Sequence, residues 1–126
     1  MYKLRYFPVW LGIGWLLTGA VVALSLLPGV PAVGPSDKLN HLLAYAVLMT
    51  WFGGIYARRL HLAIAVRLII LGLLLEGLQA LSGQRQMEAL DALANAIGVV
   101  LAWIVARDRL NTVLLWCEAR LAWRTP

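Results

Sequence analysis

Four apolar runs divide the chain. The first extends from Val9 to Leu27 without a charge, follows Lys3 and Arg5, and stops at Pro28-Gly29 with Pro31 just beyond, which no helix continues through. The second covers about 39–57 and the third about 60–81, joined by the basic turn Arg58-Arg59. The fourth covers about 90–106, after the polar loop Ser82-Gly83-Gln84-Arg85-Gln86-Met87-Glu88. Runs of about 20 apolar residues are long enough to cross a bilayer as helices. The pattern therefore predicts an all-α, integral membrane four-helix bundle, with residues 1–126 forming a single domain. A cleavable signal peptide is the rival reading of the first run, because small residues surround Pro31-Ala32-Val33-Gly34, but its length exceeds an ordinary signal core. Beyond the fourth run, residues 110–123 mix Val113, Leu114, Leu115 and Leu121 with Glu118 and Arg120. Trp116 and Trp123 fall on one face with Arg120 between them, which predicts a C-terminal interfacial amphipathic helix.

Composition agrees with lipid as the solvent. Hydrophobic residues make up 62% of the chain, charged residues 13%, and mean hydropathy is +0.79, whereas a soluble domain needs about a quarter of its residues charged. The net charge of +5 would suit a nucleic-acid partner, but its distribution points to topology. With the N-terminus in the cytoplasm, Lys3, Arg5, Arg58, Arg59, Arg67, Arg107, Arg109, Arg120 and Arg124 lie on that side, against Lys38 and Arg85 outside. This bias predicts a multi-pass protein of the bacterial inner membrane with both termini cytoplasmic and no nucleic-acid partner. Arg67, one turn into its helix, can snorkel back to the headgroups. The lone Cys117 rules out an internal disulfide and a multi-cysteine metal site.

The polar residues inside the runs carry the functional signal. Asp37, His41 and Tyr45 are spaced i, i+4, i+8 on the second helix, with Lys38 beside them. On the third helix, Glu76 and Gln79 lie about 8 and 3 Å short of the end near Leu81 at 1.5 Å per residue. Asp91 and Asn95, again i and i+4, open the fourth. All these groups, with Arg85 in the loop, fall at one end of the bundle, so a single polar site is expected at the outer leaflet. Plainer roles exist for several of them. Ser36 or Asp37 can cap a helix, and Glu88 and Asp91 can favour a helix N-terminus. Asn95 can bridge two helices, and Ala94, Gly98 and Ala102 form a small-residue ridge suited to close packing. His61 reads as a polar residue at a loop end. Glu76 needs a partner inside lipid, with Arg85, Lys38 and His41 in reach.

The ordered set Asp37-Lys38…His41…Tyr45, Glu76…Gln79, Arg85, then Asp91…Asn95…Gly98 resembles the VanZ-like family of bacterial membrane proteins. That family's pattern reads D-K-x-x-H-x-x-x-Y, E-x-x-Q, then R with D-x-x-x-N-x-x-G, and the resemblance covers about 37–103. The family takes its name from a protein linked to low-level teicoplanin resistance, so the resemblance implies a role in envelope or glycopeptide-susceptibility modulation, without implying a mechanism.

Three functions suit these residues. In the first, Arg85, Lys38 and His41 bind an anionic lipid headgroup or a lipid-linked envelope precursor, while Asp37, Tyr45, Glu76, Gln79, Asp91 and Asn95 complete the site. In the second, an intramembrane enzyme uses His41 as acid or base with Glu76 or Asp91 as its carboxylate, on a lipid-linked phosphate or sugar. The third is a small lipid transporter working as an oligomer. HExxH, GxSxG and phosphate-cradling glycine motifs are all missing from the chain, so binding is preferred to catalysis, and neither cofactor nor metal is expected.

Overall fold

A computed structural model describes residues 4–27, 37–83, 89–106 and 109–122. Among these residues the chain is all-helical, with five α-helices and no strand: α1 Phe7–Leu26, α2 Asp37–Ile55, α3 His61–Leu81, α4 Ala89–Ala106 and α5 Leu110–Ala122. A 3-10 turn, Arg58–Leu60, leads into α3. These bounds fall within about two residues of the apolar runs. α1 starts before its run because Pro8 occupies the first turn, where a missing N–H costs nothing. α2 likewise starts at Asp37, whose charge suits a helix N-terminus. α3 stops at Ser82-Gly83, where Gly83 takes φ 67 and the Ser82 amide donates back to Leu78 O at 3.0 Å.

Two segments, α1 and Arg58–Leu81, are long and apolar enough to cross a membrane, and Ala89–Val105 is a shorter apolar helix. Large apolar side chains cover much of the outside, among them Trp15, Leu16, Leu74, Leu81 and Val105. α1 turns only a little of its surface inward: Gly14 is its one fully buried residue.

α2 is the central element, touching α1, α3, α4 and α5. It contributes Tyr45, Leu48, Met49, Phe52 and Ile55 to the core. Its most extensive contact is with α4, whose buried face is Asp91, Ala94, Asn95, Gly98, Val99 and Ala102, a stripe in which each residue has others three or four positions away. Gly98 is where the two backbones meet. A Cβ at this position would collide with the carbonyl oxygen of Leu42 and sit 3.0 and 3.1 Å from its C and Cα. The small-residue ridge is thus the α2–α4 seam.

The opposite end of the molecule is tied by α5. α5, expected as an interfacial amphipathic helix, turns a stripe of Asn111, Leu114 and Glu118 into the protein. Leu114 and Glu118 are buried. Asn111, oriented to satisfy its amide, donates to the carbonyls of Gly53 and Gly54, which end α2. Glu118 accepts the Arg5 and Tyr6 amides at 2.8 and 2.9 Å and the Trp10 indole at 2.8 Å, so one carboxylate pins the chain leading into α1. The outer face of α5 keeps Trp116, with the Arg120 guanidinium 4.7 Å from its ring centre; Trp123 lies outside the described residues. Trp51 adds a bond from its indole to Trp10 O at 2.9 Å. His61 differs from its expected loop-end role: it is 1% exposed, packs beside Gly53 and donates from Nε2 to Tyr56 O at 3.1 Å.

Two expectations follow from this packing. Gly98→Ala must push α4 off Leu42 and should cost about 1–3 kcal/mol, whereas Gly12→Ala, with open space around it, should stay within about 1 kcal/mol of the parent. Thermal melts in detergent measure both, and equal effects would remove Gly98 from the seam. At Glu118, burial pushes the carboxyl pKa up, but the Tyr6 and Arg5 amides, the Trp10 indole and the Arg5 charge outweigh it and hold the group below the ordinary 4.5. A lowered folded pKa stabilises above the ordinary carboxylate range, and that stability is lost as pH falls through the folded value. Glu118→Gln should therefore be less stable than the parent at neutral pH, with the gap closing as pH falls below the ordinary carboxylate range. A gap independent of pH would show that the charge is not what holds α1.

Candidate functional site

The seam between α2 and α4 opens at the end where both helices begin, and polar groups meet there. Lys38 Nζ lies 3.2 Å from Asp91 Oδ1, an ion pair whose carboxylate is buried while the lysine side chain is 41% exposed. One turn further in, His41 Nδ1 is 3.1 Å from Asn95 Oδ1. The same nitrogen is 3.8 Å from Glu76 Oε1, contributed by α3, and His41 Nε2 is 3.9 Å from Asp91 Oδ2. Glu76, Asp91 and Asn95 are 2%, 4% and 2% exposed. Asp37 completes the mouth, with ligand atoms of Asp37, His41 and Asp91 all within 4.8 Å of one another.

Local structure explains why these groups converge. The i, i+4 spacing of Asp37 with His41, and of Asp91 with Asn95, stacks each pair on one helix face, and the contact at Gly98 lets the two faces close. Gly72 of α3 supplies the floor. A side chain there would lie 3.1 Å from Asn95 Nδ2 and 3.4 Å from the Tyr45 ring, so glycine makes room for both. Tyr45 is 2% exposed, and its hydroxyl has no hydrogen-bond partner among the described residues.

The protonation pattern of His41 follows from its neighbours. Asn95 Oδ1 only accepts, so Nδ1 carries the proton toward it, and Nε2 is the ring nitrogen turned toward Asp91. Such a nitrogen can take a proton or bind a cation. Among the described residues, Asp37, His41 and Asp91 are the group whose donor atoms lie close enough together to hold a metal.

Of the expected site residues, the structure brings together Asp37, Lys38, His41, Glu76, Asp91 and Asn95, with Tyr45 beneath them. Gln79 is turned elsewhere: its amide donates to Ser25 O and ties α3 to the last turn of α1. Arg85 and its expected pairing with Glu76 lie outside the described residues, as does Glu88. Gly72 escaped the sequence reading because glycine is ordinary in apolar helices; only its neighbours reveal its use. No protein-family model, curated protein or solved structure matches this chain.

The His41–Asn95 bond can be tested directly. Asn95→Ala leaves a part-buried ring N–H without its acceptor and should cost about 1 kcal/mol in stability. Nitrogen-15 spectra of labelled histidine should also show the His41 Nδ1–H tautomer in the parent and a tautomer mixture in the variant. An unchanged His41 spectrum would mean that Asn95 does not set the tautomer.

Proposed function

We propose that the chain is a VanZ-like protein of the bacterial inner membrane, in which α1 to α4 cross the bilayer and the polar site opens at the outer leaflet to bind an anionic lipid headgroup or a lipid-linked envelope precursor. The observation that carries this reading is the convergence of polar groups from α2, α3 and α4 at one end of a molecule whose sides are apolar. Ionisable groups inside a span are costly, and they collect where something polar must be met. The basic residues support the orientation. Arg5, Arg58, Arg59, Arg67, Arg109 and Arg120 belong to the opposite end, where α1 and α3 begin and α5 packs, as expected for a cytoplasmic face.

Lys38, partly exposed and already steered by Asp91, is placed to meet a phosphate at the mouth, with Arg85 expected from the adjacent loop. The VanZ-like resemblance rests on the ordered motif alone, and it favours an envelope role such as glycopeptide-susceptibility modulation. A second reading, an intramembrane enzyme on a lipid-linked phosphate or sugar, draws on the His41 ring held between Asn95, Glu76 and Asp91, a setting suited to proton transfer.

Topology and ligand can be read separately. A periplasm-only reporter should be active when fused after Arg85 and silent after Arg59 or at the C-terminus; the reverse pattern would place the site in the cytoplasm. Native mass spectrometry of protein extracted from bacterial membranes should show a retained anionic lipid, with retention falling about tenfold, or about 1.4 kcal/mol, in Lys38→Ala. Equal retention by the parent and Lys38→Ala would overturn headgroup binding at this site.

A further inference from the structure

The site just described gathers carboxylate and imidazole donors from separate helices. Among the described residues, Asp37, His41 and Asp91 bring their donor atoms together at the mouth, while Glu76 stands on the other side of the imidazole, beside Nδ1. Asp37 and His41 share the i, i+4 spacing by which one helix face can present two ligands, but the third candidate, Asp91, comes from a different helix and no sequence motif joins it to them. The fold is what brings them together.

We infer that Asp37, His41 and Asp91 form the ligand set of a first-row divalent metal ion, Zn2+ or a close relative, at the mouth of the α2–α4 seam. Their donor atoms lie within 4.8 Å of one another. His41 Nε2 faces Asp91 Oδ2 across 3.9 Å, too long for a hydrogen bond and close to the span of two metal–ligand bonds of about 2 Å each. Closing the set around a tetrahedral ion, where ligands stand about 3.3 Å apart, takes side-chain movements on the order of 1 Å.

The surroundings fit the same ion. Asn95 accepts the Nδ1 proton at 3.1 Å, with Glu76 Oε1 beside it at 3.8 Å, which is how an outer group fixes the tautomer and ring direction of a metal-bound histidine. Lys38 holds Asp91 Oδ1, so Oδ2 remains the oxygen turned to His41. Tyr45 lies one turn further along α2 on the same face, and its buried hydroxyl, within electrostatic reach of Glu76, has no hydrogen-bond partner among the described residues. One imidazole with two carboxylates favours Zn2+, Mn2+ or Fe2+ over the all-oxygen preference of Mg2+ and Ca2+.

A bound metal would also explain how a carboxylate-rich pocket receives a phosphate, by presenting an open coordination position to it; this link rests on the headgroup reading, while the ligand set does not. The test uses the full chain purified in detergent, stripped with a chelator and titrated with ZnCl2 by calorimetry, with metal analysis after desalting. The parent should take up one equivalent and melt at a higher temperature with Zn2+. His41→Gln and Asp91→Asn, which keep side-chain size, should each weaken binding by more than about tenfold and lose the thermal shift, and Asn95→Ala should weaken it about 10- to 100-fold. Cobalt substitution gives a readout independent of stability, since His41→Gln should alter the visible spectrum of the Co2+ form. Glu118→Gln, at the far end of the molecule, should bind as the parent does. Absence of uptake by the folded parent, or equal uptake by His41→Gln and Asp91→Asn, would overturn the site. Metal uptake with no metal-dependent retention of anionic lipid would uphold the ligand set and overturn the headgroup link.

Discussion

The close approach of α2 and α4 at Gly98 governs the rest of this structure. With only a hydrogen at that position, the α4 backbone rests against Leu42, the residue next to His41. Helices this near let short side chains such as Asp91 and Asn95 reach across, whereas a bulkier seam would leave each helix to satisfy its polar groups alone. The seam also places buried apolar partners below the polar ones, with Val99 and Ala102 continuing the same face toward Leu48 and Met49 in the common core. Packing and polar chemistry are therefore consecutive stretches of one interface.

The two ends of the molecule solve different electrostatic problems. At the mouth of the seam, anionic and cationic groups from three helices meet at shallow depth, and partial exposure of Lys38 keeps one side open. At the other end, Glu118 is enclosed by donors: two backbone amides and an indole accept no competing role and hold a single charge in place. That closed arrangement has the character of a structural clasp. The site at the seam differs, with a buried tyrosine hydroxyl lacking a partner among the described residues and an imidazole nitrogen facing a carboxylate beyond hydrogen-bond distance.

α1 illustrates how little apolar burial is needed when polar ties act at the ends. Most of its side chains face outward, yet Glu118 anchors its start, Gln79 reaches the Ser25 carbonyl at its finish, and Gly14 seats it against Trp51 and Phe52 between them. α1 is long and apolar enough to cross a membrane, and for a helix in hydrocarbon, outward apolar side chains carry no penalty and specificity falls to small-residue contacts and hydrogen bonds.

Most of the helical architecture was legible in the sequence, because uninterrupted apolar runs punctuated by Pro28-Gly29, Arg58-Arg59 and Ser82-Gly83 permit few other readings. The common level of Asp37, His41, Glu76, Asp91 and Asn95 was legible too, since helix rise converts position along the chain into depth. Direction around each helix axis was not, because apolar residues lie on all sides of these helices and leave no polar face to mark the outside. That is why Gln79 could be placed at the right depth and still turn to α1, why His61 could look like a loop end and be buried, and why Glu118 could look solvated and serve as the anchor of α1. Depth is a property of one helix and its sequence; partnership depends on rotation and approach between helices, which only the tertiary packing decides.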